Sequence, residues 1–341
     1  MKNIHVKEYS PQHHQLWDEF VRASSRNGGI YQERDFLSYH PEGKFKDASL
    51  LFFEENELIA VFPAAIVPDN GKEKVVSHPG SSYGGLVYDY EATVCRVMEI
   101  LEQLIEHYKS KNIDAIEIKL AEPIFHATPE GELTYLLWHR GFNIKTQEIS
   151  TCVSLSNGNS WEKLGRKKNL TDIRKLERNG YVVTTTDEAD KIFPIIEKNL
   201  ATKYNCKPTH TLDELKKLKE TYPQRIHFFA VKVNEEIAAV TVLFDVTSKA
   251  VHTFYIAQSQ EYANTNVLPL LFYKIFEQYR QRNFDWYNFG ISSRGQQIKW
   301  GMLEFKERMG GRATARQVWK LENLSAYNNI KNYELCHCRQ Q

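Results

Sequence analysis

Asn288, Ser292 and Arg294 fall within one stretch, NFGISSR, between the aromatic run FDWYNF at 284–289 and the segment QQIKWGMLEFKERM at 296–309. Alternation in the first run predicts a strand; Ile298, Met302, Phe305 and Met309 predict a helix in the second. A strand feeding a polar turn and then a helix N-terminus brings backbone N–H groups together, which suits an anionic or oxygen-rich ligand. The three side chains flank that turn, where an acceptor can be hydrogen-bonded. The same arrangement also serves merely to connect two elements. Tyr255, at the end of HTFYIA, offers a phenol to the donor or a packed ring with a satisfied hydroxyl. In QSQEYANTN, Asn264 and Asn266 are placed to cap the following helix and leave N–H groups for a phosphate. Residues 159–180 are the densest positive run: Lys163, Arg166, Lys167, Lys168, Arg174, Lys175 and Arg178 outnumber Glu162, Asp172 and Glu177. They form either a solvated helix face or a basic rim for a phosphate-bearing substrate.

The elements that must position these groups can be read along the chain. IHVKEY opens as a strand, and a helix follows with Leu16, Trp17, Phe20 and Val21 on one side. Strands LLFFEENELIAVF and KVVSHP come next, turning at Glu55-Asn56. In SSYGGLVY, Gly84-Gly85 marks a tight turn or bulge, or a substrate-contacting loop. Residues 91–110 predict an amphipathic helix buried through Val94, Val97, Met98, Leu101, Leu104 and Ile105. IDAIEIKL, a helix ending at Arg140-Gly141, and ISTCVSLS complete a first α/β lobe, 1–156. A second lobe, 157–320, runs strand, helices, three antiparallel strands turning at Asn234-Glu235 and Thr247-Ser248, helix, strand, helix and strand. Pro269 is tolerated in the first turn of its helix. Residues 321–341 are a C-terminal tail.

NFG followed by WGMLEFKERMGG resembles the C-terminal signature of the FemAB-like acyltransferases of the GNAT superfamily, in the CelD-like acetyltransferase branch. Met302 and Met309 stand where the family has Leu and Phe, swaps that keep apolar volume. The basic run resembles the family's lobe-joining helix at Arg166, Lys167, Ile173, Arg174 and Lys175. The resemblance implies an α/β (α+β) fold of tandem GNAT-like lobes around a shared cleft, each a mixed, mostly antiparallel sheet flanked by helices. It implies that Phe305-Lys306 is the family's Phe-Lys pair, with Lys306 stabilising transition-state charge, and that Tyr83 and Gly84 lie near the cleft. Lys167, Arg174, Asn264 and Asn266 become candidates for donor phosphate. No Ser-His-Asp or Cys-His arrangement is evident, so direct attack on the acyl carbon is expected. The implied activity is N-acyl transfer from acyl-CoA, as co-substrate, to an amine of a cell-envelope or polysaccharide precursor, with a small-molecule amine or a nucleotide- or lipid-linked sugar as acceptor. QSQEYANTN lacks the glycines of the usual coenzyme A loop, which keeps open an aminoacyl-tRNA donor acting on a peptidoglycan precursor. A silent binder of a nucleotide-sugar or lipid-linked ligand is the reading outside enzymes.

Bulk composition agrees. A chain of 341 residues, 42% hydrophobic and 26% charged, fits a globular protein of two lobes. A net charge of +1 gives no global signature for DNA or other nucleic acid. No apolar run approaches the ~20 residues of a membrane span, and MKNIHVKEYSPQHH lacks a signal-peptide core, so a cytoplasmic location is expected. Cys95, Cys152 and Cys206 are dispersed, and Cys336-His337-Cys338 has no second ligand pair, so no metal is expected.

Overall fold

The computed structural model describes residues 3–156 and 167–327. The Cys336-His337-Cys338 cluster and most of the 321–341 tail therefore lie outside the described residues. Two compact units form, Met1–Gln147 with Arg316–Gln341, and Glu148–Ala315.

In the first unit the chain forms β1 (Ile4–Glu8), α1 (His14–Glu19), α2 (Arg34–Leu37), β2 (Lys46–Asp47), β3 (Leu50–Glu54), β4 (Glu57–Phe62), β5 (Ala65–Asp69), β6 (Lys72–Ser77), β7 (Val87–Tyr88), α3 (Val94–Ser110), β8 (Ala115–Lys119) and α4 (Glu132–His139). It leaves this unit along β9 (Asn143–Ser154). The second unit continues with α5 (Lys167–Arg178), β10 (Val182–Thr186), α6 (Ala189–Tyr204), α7 (Leu212–Thr221), β11 (Ile226–Val233), β12 (Glu236–Asp245), β13 (Ala250–Gln258), α8 (Val267–Gln281), β14 (Trp286–Ile291), β15 (Ser293–Arg294), β16 (Gln297–Ile298) and α9 (Trp300–Arg308). β17 (Arg312–Leu321) carries the chain back.

Strands β1-β3-β4-β7 of the first unit form one antiparallel sheet. Beside it, β8 pairs antiparallel with β17 and parallel with β6, which continues to β5 and β2. The Glu55-Asn56 hairpin forms as expected, with Glu55 at φ +55°. Thr93 caps α3, accepting from the Arg96 N–H. The buried face of α3 carries Val97, Met98, Ile100, Leu101, Leu104 and Ile105 against Ile116 and Ile118 of β8. Val94, expected inside, is 47% exposed because it begins the helix, ahead of the packed stripe. Leu16, expected on the buried side of the first helix, is also largely exposed, whereas Trp17, Phe20 and Val21 are buried.

Between β6 and β8 the parallel ladder is stitched to its end. Ser77 pairs with Ile118, Lys119 N–H donates to Ser77 Oγ at 2.8 Å, and Gly84 N–H donates to Lys119 O at 3.0 Å. Only glycine fits at 84, since a Cβ there would lie 1.9 Å from Ser77 O. Tyr83 is buried beside it, donating its hydroxyl to Glu122 Oε1 at 2.6 Å. Lys119 Nζ donates to the carbonyls of His78 (3.2 Å), Pro79 (3.4 Å) and Ser81 (3.2 Å), and burial pushes its ammonium down to about 8. Tyr83-Gly84-Gly85 is thus an irregular, buried segment packed into the first unit.

In the second unit the sheet order is β10-β11-β12-β13-β14-β9. All pairs are antiparallel except β13 with β14. The turn between β11 and β12 places both Asn234 (φ +48°) and Glu235 (φ +65°) in the left-handed region, the geometry of a two-residue hairpin. α8 packs against β10, β11 and β12 and against α5; α6 and α7 pack against one another and on β12, β13 and β11. α8 buries Val267, Leu270, Leu271, Phe272, Ile275, Phe276 and Tyr279. α9 buries Leu303 and Lys306; of the residues expected in its stripe, Met309 is buried at the C-cap and Phe305 packs on the core, whereas Ile298 belongs to β16, because the helix starts only at Trp300.

Two outcomes follow for the first unit. Gly84→Ala forces a methyl into the Ser77 carbonyl and is expected to cost about 1–3 kcal/mol or more, read as a lowered denaturation midpoint. His78 is 4% exposed, and burial pushes its imidazole down to about 3. Below the ordinary histidine value near 6.5, the unfolded chain takes up a proton that folded His78 refuses. Stability is therefore expected to fall as pH drops from about 6.5 towards 3, by up to roughly 1.4 kcal/mol per pH unit from this group. Unfolding midpoints across that range should flatten in His78→Gln.

Candidate active site

Strands β13 and β14 run parallel for three residue pairs, Ala250 with Trp286, Val251 with Tyr287 and His252 with Asn288, and then stop pairing. β13 continues through Thr253 to Gln258 beyond that point. Two local features cause the divergence. On β14, Gly290 adopts φ +72°, its N–H donating to Asn288 Oδ1 at 2.5 Å, and the register against β9 is irregular between Asn288 and Ile291. A Cβ at Gly290 would stand 3.1 Å from His252 Nε2, so the glycine also lets the imidazole pack on the backbone. On β13, Phe254 is a bulge residue, since Tyr255 opposes Val242 of β12 while Thr253 opposes Leu243.

The turn is held from inside the unit. Lys306 is 2% exposed and donates from Nζ to Gly290 O at 2.8 Å and Ile291 O at 2.7 Å. A solvent-facing lysine is thereby excluded. Asn288 is fully buried and also pairs with Ser150 of β9 at 3.3 Å. Ser292, equally buried, donates its N–H to Ile149 O at 2.6 Å and accepts from Lys299 N–H at 2.8 Å. Ser293 Oγ accepts from Ile149 N–H at 2.9 Å. The β15-β16 hairpin projecting from this base carries Arg294 in solvent. Phe305 packs against the core of α8 and β14, 6.0 Å from Phe272 and 6.4 Å from Phe289.

The other expected residues separate from this group. Tyr255 is buried, and its oxygen accepts from His210 N–H at 3.0 Å and lies 3.0 Å from His210 Nδ1. Burial raises its phenol above the ordinary tyrosine value. Its hydroxyl therefore ties down the loop before α7. Asn266 occupies the N-cap position of α8, but its side chain donates to Asp172 Oδ2 at 2.6 Å instead of capping, and Asn264 is exposed. The expected side-chain cap is absent because Asp172 of α5 competes for the amide. Pro269 lies in the first turn, where no intrahelical N–H is needed. Gln258, which the sequence did not single out, shapes this loop by donating to Tyr262 O at 2.6 Å and Thr265 O at 3.1 Å. Arg174 is exposed on α5; the side chain of Lys167 lies outside the described residues. Tyr83 and Gly84 belong to the first unit. Ser150, Ser293 and His252 were missed as well, since a lone serine or histidine in a strand gives no local signal.

Among the described residues, one group could ligate a metal: His14, Asp18 and Asp35 in the first unit. Arg22 is already ion-paired with both carboxylates, and Asp18 accepts the N–H groups of Arg34 and Asp35.

Residues 165–307 match the family model described as acetyltransferase (GNAT) domain. The chain is similar in structure to FemX at TM-score 0.72 and 13% identity, covering 94% of this chain and 98% of the other. It is also similar to a tandem GNAT protein from the clavulanic acid biosynthesis pathway, at TM-score 0.54 and 10% identity, covering 94% and 99%. The structural likenesses show a shared fold, and the family match covers less than half of the chain, within its second unit. Its two units are GNAT-like lobes in tandem, each a mixed sheet flanked by helices. A further likeness is to L-PGS from Bacillus licheniformis, at TM-score 0.58 and 12% identity, covering 91% of each chain. No curated protein matches the chain in sequence. Among the described residues, no helix is long and apolar enough to cross a membrane.

Lys306→Met keeps the length of the side chain and removes its ammonium, leaving the Gly290 and Ile291 carbonyls without that donor. An unmade buried hydrogen bond costs about 1–3 kcal/mol, so the denaturant midpoint is expected to drop measurably. A midpoint equal to wild type would show that the ammonium does not hold this turn.

Proposed function

We propose that this protein is an acyltransferase that moves an acyl group from acyl-CoA to an amine on a cell-envelope or polysaccharide precursor, in the cytoplasm, by direct attack. The observation that carries this reading is the divergence of β13 from β14 beyond His252, next to an α8 N-terminus without a side-chain cap. The edge of β13 from Thr253 onward faces no ladder partner in β14, so an extended arm bearing amides can pair with it as a strand would. The first-turn N–H groups of α8 suit the donor's phosphates despite the missing glycines. The bulge at Phe254 frees backbone N–H from the regular ladder, and such a donor suits the oxyanion formed as a neutral amine attacks the acyl carbon. The first unit's parallel pair is closed by Gly84 and Lys119, which favours one donor slot per chain.

In this reading Asn288 and Lys306 are positioning residues for the Gly290 turn, and the charge of Lys306 adds to the field at the slot. Ser292 anchors the hairpin, Arg294 meets an anionic acceptor, and Phe305 and Tyr255 hold the slot's walls. One observation favours a second donor, aminoacyl-tRNA: Arg174, Lys175 and Arg178 form an exposed basic row on α5, where phosphate contacts would form.

Thermal unfolding of the full chain with acetyl-CoA, longer acyl-CoAs and free CoA separates the two. Ligand at a hundredfold excess over its dissociation constant is expected to add about 2.7 kcal/mol to the folded state. No shift with any of them, together with tRNA binding that weakens steeply with salt, would transfer the assignment to the aminoacyl-tRNA donor.

A further inference from the structure

Among the described residues, β1, β7, β2 and β10 lie at sheet edges, apart from the β15-β16 hairpin. Three of these edges carry the usual protection. β2 is two residues long and both are charged, Lys46 and Asp47; β7 is also two residues long; β1 carries Lys7 and Glu8. Short or charged edges do not readily accept another strand. β10 differs. It is the last strand of the second unit's sheet, reads Val182-Val183-Thr184-Thr185-Thr186, and has no charge, no proline and no irregularity in its register against β11. Pairing with β11 uses the N–H and C=O groups of alternate residues, so those of the others point outward in the plane of the sheet. Among the described residues no strand takes them. All five side chains are β-branched, which suits pairing, and Val182 is 59% exposed.

The two ends of this edge differ in charge. The chain enters from α5, whose last turn presents Lys175 and Arg178 to solvent, and turns at Gly180 with φ +82°. It leaves through Asp187, whose side chain is 86% exposed and 3.3 Å from Lys219, and through Glu188, which bridges to Lys191 and Lys232. Two such edges laid antiparallel set each positive entry beside the other copy's negative exit. A parallel arrangement would set like charges together. Centring the antiparallel pair on Thr184 opposes that residue with its own copy, Val183 with Thr185 and Val182 with Thr186, so all five residues are used. Threonine pairs facing across strands are among the favourable ones, and Tyr181 then stands level with Asp187 of the other copy, with Arg178 just before it.

We propose that β10 is a self-association edge, to which a second copy of this chain adds its own β10 antiparallel about a two-fold axis at Thr184. The pairing is isologous: it uses the same edge on both copies and closes at a dimer instead of growing. It stands on the second unit alone and is independent of the acyl donor.

Sedimentation equilibrium of the full chain over a range of concentrations measures the association, and amide hydrogen exchange locates it. A monomer–dimer equilibrium is expected, with the amides of residues 182–186 slowing as the dimer fraction rises. Thr184→Lys opposes two ammonium groups at the axis and is expected to raise the dimer dissociation constant about fivefold, with the circular dichroism spectrum unchanged. Val182→Lys, at an exposed position, is a second probe that weakens the dimer without reaching the core. Arg178→Glu should also weaken it, and Arg178→Glu combined with Asp187→Lys should restore it, a rescue that loss of folding would not give. A chain that stays monomeric at every concentration reached, a dimer that these variants leave unchanged, or one whose exchange protection lies outside 182–186 overturns the proposal.

Discussion

The left-handed turn at Gly290 is the constraint on which the second unit's site depends. It ends the parallel pairing of β13 and β14 after three residue pairs and redirects the chain into the hairpin and α9. Backbone at φ +72° cannot pair in a regular ladder, so its polar groups need other partners. Asn288 takes the N–H, and Lys306 takes the carbonyls of Gly290 and Ile291. Lys306 is thus used by the fold before any chemistry is considered. Gly311 completes the arrangement: a Cβ there would lie 2.4 Å from Thr151 Cγ2 and 2.8 Å from Lys306 O, so the end of α9 and the start of β17 approach closely only without one.

The two units treat the same supersecondary pattern in opposite ways. Each contains a parallel strand pair joined through a helix, β6-α3-β8 and β13-α8-β14. In the first, Ser77 Oγ and the Gly84 N–H continue the hydrogen bonding past the last residue pair, and Lys119 sets an ammonium among three loop carbonyls. In the second, a bulge and a glycine turn push the strands apart. One gap is closed with backbone and the other is left open, so the β13 edge from Thr253 onward has no ladder partner in β14.

Much of the fold was legible because its signals are local. The Asn234-Glu235 hairpin, the α3 stripe, the glycine stop after α9 and the order of elements through the second unit all follow from periodicity and turn chemistry. Errors fell at element ends, where Val94 and Leu16 belong to the apolar pattern but lie outside the packed face. The NFG strand end and Lys306, singled out in the sequence, meet at the Gly290 turn. Capping by Asn266 failed because a carboxylate from α5, 94 residues earlier in sequence, holds its amide. Ser150, Gln258 and His252 gave no signal because their roles depend on neighbours that only folding brings near.

The sequence by itself determined the element types and their order, since each rests on residues within one turn, one strand or one short motif. Tertiary structure alone decided that Lys306 points inward, that Tyr255 binds His210, and that Tyr83 and Gly84 are packed into the first unit. The physical reason is the same in each case. Which way a polar side chain faces depends on where an unsatisfied donor or acceptor lies in space, and that partner is supplied by a distant part of the chain.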